Sequence, residues 1–252
     1  MRNVYLAALF IGLLGPAAQA VTPVEIQVLS SGVTASGLRI FSVAFPKATH
    51  TIWENGPDVE IVGGTVGIVD QNARSSEPGD VVVLPVADMD ALEQAGALAS
   101  GTKTPLGRVD FGVDVEAGTP HPDIATREKF IAVMKAANAV AFNDPASQSL
   151  GGITIDKFLS LPEYAGVRKL PGGGARDVAS GKADIGIQTM SELLSAQGVE
   201  FAGLVPAYLN AHIHFSIAVL TKAAHPKEAR DFIRYVTRPQ AAAIWKENGV
   251  IR

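Results

Sequence analysis

Cysteine is missing from all 252 residues. That excludes disulfide staples, thiolate chemistry and a lipid anchor carried on a cysteine, so the chain must rest on its own core. Past residue 20 no apolar run approaches the ~20 residues that a membrane helix needs, so no membrane anchor is expected. Aromatic residues are only 6% of the chain, and no basic run or aromatic–basic interleaving occurs. Nucleic acid and an anionic membrane surface are therefore poor partners. There is no Walker loop, no Gly-x-Gly-x-x-Gly opening a helix, no His-Glu-x-x-His and no Gly-x-Ser-x-Gly elbow. A nucleotide-using or serine-hydrolase reading has no support.

What is present starts with an export signal. Arg2, an apolar core from Val4 to Leu14, and the small-x-small site Ala18-Gln19-Ala20 read as a secretory signal peptide. Residues 1–20 are then removed near Ala20 and the protein works in the periplasm. The remaining ~230 residues suffice for one large domain or two small lobes. At 47% apolar, 18% charged and a net charge of −4, the composition is that of an ordinary globular protein. A mildly acidic chain can still bind an anion through local N–H and hydroxyl dipoles.

The pattern alternates strand, turn and helix. Val24–Leu29, Val59–Val62 and Asp80–Pro85 read as strands, the last almost continuously apolar as in a sheet covered on both faces. Leu38, Phe41 and Phe45 share a helical face behind a cap at Thr34 or Ser36, and Ala87–Gly96 forms another helix. Thr126 caps a helix that turns Phe130, Val133, Met134 and Ala137 inward, and Pro226 begins one carrying Ala229, Phe232, Ile233 and Val236. Two long β stretches, 107–115 and 212–220, are the natural connections between two α/β halves. Open α/β sheets bind ligands beyond the carboxyl ends of their strands, and two such sheets facing each other make a cleft.

One stretch stands out. Ala139–Phe142 reads as a buried strand, and Asn143-Asp144-Pro145-Ala146-Ser147-Gln148-Ser149-Leu150-Gly151-Gly152 follows it into a helix. Free N–H groups at a helix start, beside Ser147 and Ser149, form an anion site. The blander reading is that Asp144 or Ser147 merely caps the helix.

With these segments in hand, the chain resembles the type II periplasmic solute-binding proteins, in the branch of the molybdate-binding proteins of ABC transporters. The resemblance is carried by Val28–Gly32, Gly79–Pro85, Asp144–Ser147, Pro171–Gly174, Gly181–Gln188 and Pro239–Ile244, in family order. It implies an α/β, two-lobed fold with a ligand cleft between the lobes. Lobe one would comprise about 21–110 with about 211–252, and lobe two about 111–210. The family holds a small oxyanion with hydroxyls and backbone N–H groups, without a cofactor. Here the first hydroxyl motif is shifted to Ser31 or Thr34, Thr65 replaces a serine run, and Gln188 stands where many members carry a tyrosine. Ala146 and Ser147 complete the implied ligand set. A monomer is expected, with an ABC transporter permease as the implied partner and a molybdate-like oxyanion or a carboxylate as ligand.

Sequences with that altered first motif include ones similar to aconitate isomerase, an exported enzyme on the same scaffold. This second reading implies a tricarboxylate and an allylic proton shift, which needs one positioned base and partners for carboxylates. Arg74 and Arg176 are candidate carboxylate partners, with a solvated arginine near Glu77 as the blander reading of Arg74. His212, His214 and Glu192 are the nearest bases. His212 and His214 lie two apart on a strand and face one side, but no third ligand declares a metal site. An ordinary inter-lobe or surface role competes for both. Gly172–Gly174 can cradle an anion or simply permit a tight turn, and Trp53 reads as a lobe-surface residue.

Overall fold

The computed structural model describes residues 24–49 and 58–252, so the signal peptide expected at 1–20 and Trp53 lie outside the described residues. Elements alternate along the chain: β1 (Glu25–Ser31), α1 (Gly32–Thr49), β2 (Asp58–Gly64), α2 (Val66–Arg74), β3 (Val81–Pro85) and α3 (Val86–Gln94). The middle runs β4 (Thr104–Glu116), α4 (Arg127–Ala136), β5 (Val140–Asn143), α5 (Leu150–Leu159), β6 (Lys169–Gly172), α6 (Ala175–Ala179), β7 (Ile185–Thr189), α7 (Met190–Leu193) and β8 (Val199–Leu204). The chain closes with β9 (His212–Val219), α8 (Pro226–Thr237), α9 (Ala242–Glu247) and β10 (Val250–Ile251).

The fold is a two-lobed α/β architecture joined through one long strand. The strand order is β2-β1-β3-β9-β4-β7-β5-β6, with β8 and β10 pairing β4 from the side. In one lobe β1 pairs in parallel with β2 and β3, and β9 runs antiparallel between β3 and β4. In the other, β5 pairs in parallel with β6 and β7, and β7 and β8 run antiparallel to β4. The 13-residue β4 belongs to both. Its Thr104–Asp110 half pairs with β9, and its Phe111–Glu116 half pairs with β7 and β8.

Two expectations need correction here. Residues 212–220 do not cross between the lobes, because β9 pairs only with β3 and the first half of β4. The return passes through 205–211, anchored where Val205 N donates to Phe111 O at 2.9 Å. The helix after β1 has no separate cap at Thr34 or Ser36, because α1 starts directly at Gly32. Thr34 sits within its first turn, fully buried, with its hydroxyl 2.8 Å from Ser30 Oγ.

Aromatic packing fixes α1 to the C-terminal helices. Phe41 lies 5.2 Å from the Trp245 ring and Phe45 lies 5.3 Å from Phe232. Trp245 is wholly buried and satisfies its indole by donating to Val236 O at 2.8 Å. Truncating such a ring to alanine costs about 3–5 kcal/mol, so this cluster is what holds the returning C-terminal segment to the first lobe. Ala229, Phe232, Ile233 and Val236 are all buried on α8, at the spacing read from sequence. No helix among the described residues is long and apolar enough to cross a membrane.

Candidate functional site

Strands β1, β2 and β5 each lead into a helix at a polar turning point: β1 directly at Ser31–Gly32, β2 through Thr65, and β5 through residues 144–149. The three turns meet around a cavity of about 470 Å³, inside the roughly 300–1,000 Å³ range of small-molecule sites. Ser31, Gly32 and Val33 line it from the first turn, and Gly64, Thr65 and Val66 from the second. Asn143, Asp144, Ser147, Ser149, Leu150 and Gly151 line it from the third, with Gly172, Glu192 and Phe215 completing the wall.

The local sequence leaves donors unspent at each turn. On α2, Thr65 accepts from Ile68 N at 3.4 Å, and Val69 N bonds to Thr65 O at 3.0 Å. Val66 and Gly67 N–H then have no partner within the helix. On α5, Ser149 is the cap: its hydroxyl accepts from Gly152 N at 3.2 Å and its carbonyl from Ile153 N at 2.9 Å. That leaves Leu150 and Gly151 N–H without a helical partner. The first N–H groups of α1, at Gly32 and Val33, are in the same position. Three helix N-termini, each carrying partial positive charge, thus border one cavity.

Ser31 adds a second kind of donor. It is 2% exposed, and its hydroxyl has no hydrogen-bond partner. A buried hydroxyl left unpaired costs about 1–3 kcal/mol, which a ligand acceptor would recover.

Set among these donors is one anchored carboxylate. Glu192, in the short α7, receives Asn143 Nδ2 on Oε1 at 2.9 Å and Thr189 Oγ1 on Oε2 at 2.7 Å. Two neutral donors from β5 and β7 hold it, and among the described residues it makes no ion pair. An acceptor-only group in a cavity otherwise rich in donors can take a proton from a bound molecule.

The structure brings together part of the residue set expected from sequence. Ser31, Thr65, Ser147 and Glu192 line the cavity. Ser147 donates its hydroxyl to Asp144 O at 2.7 Å, which leaves its lone pairs as acceptors. Ala146 N–H is already taken by Asp144 Oδ1 at 2.9 Å, because Asp144 caps the single turn 145–147 rather than α5. Thr34 is tied to Ser30, one layer behind the lining. Arg74 lies at the far end of α2, held by Asp70 through two bonds of 2.8 and 3.0 Å. Arg176 is exposed on the first turn of α6, four residues after the lining residue Gly172, and among the described residues its guanidinium makes no hydrogen bond or ion pair.

Gln188 is 5% exposed and lies outside the lining, with its amide shared between both Asp114 oxygens at 3.3 Å each. Asp114 is wholly buried, and that burial pushes its carboxyl up to about 6. His212 and His214 pack edge to face at 4.9 Å on β9. His214 lines a different cavity, of about 890 Å³, with Lys103, Arg108 and Arg252. Among the described residues no cluster of three or more His, Cys, Asp or Glu could hold a metal ion.

Phe215 is the lining residue that sequence reasoning missed. Asn143 heads the stretch singled out from sequence, but its hold on Glu192 was not foreseen, although a polar residue ending a buried strand needs a partner. Phe215 carries none, because an aromatic in a strand reads as core.

A two-lobed sheet with its helix N-termini gathered at one cleft defines the class of periplasmic binding folds. The profile of the bacterial extracellular solute-binding proteins matches residues 26–251, and the chain belongs to that family. An aconitate isomerase from Pseudomonas sp is 30% identical over 247 residues, covering 93% of this chain and 89% of that protein. Among solved structures, the periplasmic molybdate-binding protein of Azotobacter vinelandii superposes with a TM-score of 0.69 at 20% identity, covering 90% of this chain and 99% of that one. The sulfate-binding protein SubI of Mycobacterium tuberculosis gives 0.67 at 18% identity, covering 90% and 86%. At those identities the two structures speak for the fold alone.

Proposed function

We propose that the cleft binds an unsaturated tricarboxylate and moves a proton along its allylic system, interconverting cis- and trans-aconitate in the periplasm. The observation that carries this reading is Glu192. A cavity built only to trap an oxyanion gains nothing from a carboxylate in its wall, since like charges repel at short range. A proton-transfer site needs one. This puts turnover ahead of transport, the reverse of the order expected from the sequence. The 30% identity to an aconitate isomerase points the same way.

The chemistry uses groups already in position. The three helix N-termini and Ser31 receive carboxylates of the ligand, with the exposed Arg176, outside the lining, as a further candidate partner. Glu192 takes a proton from the methylene carbon. That C–H bond breaks, its electron pair becomes the new double bond, and the former double bond takes the proton back from Glu192 at its far carbon. No atom is gained or lost. The negative charge that develops between the two events spreads onto the carboxylates, where N–H dipoles stabilise it.

A second reading keeps the fold without turnover: capture of a small oxyanion or carboxylate for an ABC transporter. The hydroxyls of Ser31, Thr65, Ser147 and Ser149 along one cavity favour it. Melting the exported chain with excess molybdate, tungstate, sulfate, citrate, cis-aconitate and trans-aconitate separates the two. A ligand at 100 times its dissociation constant stabilises by about 2.7 kcal/mol. Shifts with the aconitates support the isomerase, and a shift with molybdate or tungstate alone overturns it in favour of capture.

A further inference from the structure

One contact crosses the cleft without touching the cavity. Gln148 follows the turn 145–147 of the second lobe, and its side-chain oxygen lies against Gly67 in the first turn of α2, in the other lobe. A Cβ on Gly67 would overlap that oxygen. Gln148 also has φ 58° and ψ 27°, a left-handed conformation that few residues other than glycine adopt. The turn is held by Gln148 N donating to Pro145 O at 3.1 Å. Its sequence neighbours Ser147 and Ser149 both line the cavity, while Gln148 itself is exposed at the outside of that wall.

We infer that Gln148 is a positioning residue, a strap that closes the two lobes over the bound ligand by laying its amide on Gly67. The left-handed backbone turns the side chain out of the cavity and across its mouth. Glycine at 67 is what lets the strap lie flat, because the absent side chain leaves room there for the amide oxygen of Gln148. The N–H groups of Val66 and Gly67 have no helical partner, so an amide oxygen beside them meets the positive end of α2. Closing the strap would fix both helix N-termini on one ligand and lengthen its stay.

The inference rests on the proposed ligand only for its functional arm, and a second arm is independent of any ligand. The chain has no cysteine, so a pair introduced at Gly67→Cys and Gln148→Cys reports their proximity alone. A short bis-methanethiosulfonate reagent should cross-link that pair readily, and faster with cis-aconitate. A control pair, Gln71→Cys with Gln148→Cys, lies one turn further along α2 and should not link. Equal linking of both pairs, or linking of neither, overturns the strap.

In the functional arm, Gly67→Ala pushes aside the flexible end of Gln148 without disturbing the core. It should raise KM for cis-aconitate about tenfold, with kcat changed far less. Gln148→Gly should raise KM to a similar extent, and the double variant no further than either single change. A harmless Gly67→Ala, or additive effects of the two changes, contradicts the strap. If the unaltered protein neither binds nor converts an aconitate, the functional reading falls, and the cross-linking arm still decides the strap.

Discussion

The two cavities differ in what their polar groups are already doing. The larger, near 890 Å³, holds more formal charge, yet that charge is paired internally. Lys103 meets Asp90 at 2.8 Å and also Glu93, Arg108 forms an ion pair with Asp110 at 2.8 Å although its buried Nε makes no aligned hydrogen bond, and Arg252 donates to the carbonyls of Leu106 and Arg238 at 3.0 Å. The smaller, near 470 Å³, has fewer ions but unspent donors: helix N–H groups and the solitary Ser31 hydroxyl. Size and charge do not mark a site. Several donors facing one cavity with no ion paired to them do.

Replacing the anchored carboxylate breaks this comparison most sharply. Glu192→Gln keeps the shape of the cavity and removes the proton acceptor. Turnover of cis-aconitate should fall by about 10²–10⁴-fold, while the affinity measured by titration calorimetry persists. The double variant His212→Ala with His214→Ala, in and beside the larger cavity, should leave both quantities unchanged. If the histidine variant loses turnover and Glu192→Gln retains it, the two cavities have been assigned the wrong way round.

Asp114 tests the same principle inside the protein, where one shared amide from Gln188 only partly offsets burial. Its carboxyl stands at about 6 in the folded chain against an ordinary 3.8. Between those values the folded state keeps a proton that the unfolded state has released, so stability falls as pH rises through the window. A shift of this size amounts to about 3 kcal/mol. Asp114→Asn should therefore be more stable than the unaltered protein at pH 8, with the gain vanishing towards pH 4. Urea midpoints at both pH values measure it, and a constant difference across pH contradicts the account.

The smallest expected effect sharpens the contrast between fold and site. Ser31→Ala removes a hydroxyl that has no partner, so the melting temperature should hold or rise slightly. The same change should weaken aconitate binding by about 1–1.5 kcal/mol, close to tenfold. A loss of stability with unchanged affinity would make Ser31 structural instead.

The fold was legible because its signals are local and repeated. Apolar runs such as Val81–Leu84 and the i, i+3, i+4 spacing on α8 each encode an element with no reference to the rest of the chain. β8 was not legible: its burial alternates irregularly and Phe201 and Leu204 are exposed, so neither face reads as core. Within the site, Ser31, Thr65 and Ser147 could be read as hydroxyls at strand ends. The fates of Ala146, Arg74 and Gln188 could not, because each is set by a partner chosen in three dimensions: Asp144, Asp70 and Asp114. Glu192 was legible only as a candidate. Its anchoring depends on Asn143, 49 residues earlier in the chain.

Proton NMR of residues 21–252 with cis-aconitate in D₂O tests the central claim most directly. The account predicts that signals of trans-aconitate appear with the unaltered protein and fail to appear with Glu192→Gln, although both bind the ligand. Saturable binding of cis-aconitate with no trans isomer formed by either protein would contradict it and leave the cleft a capture site.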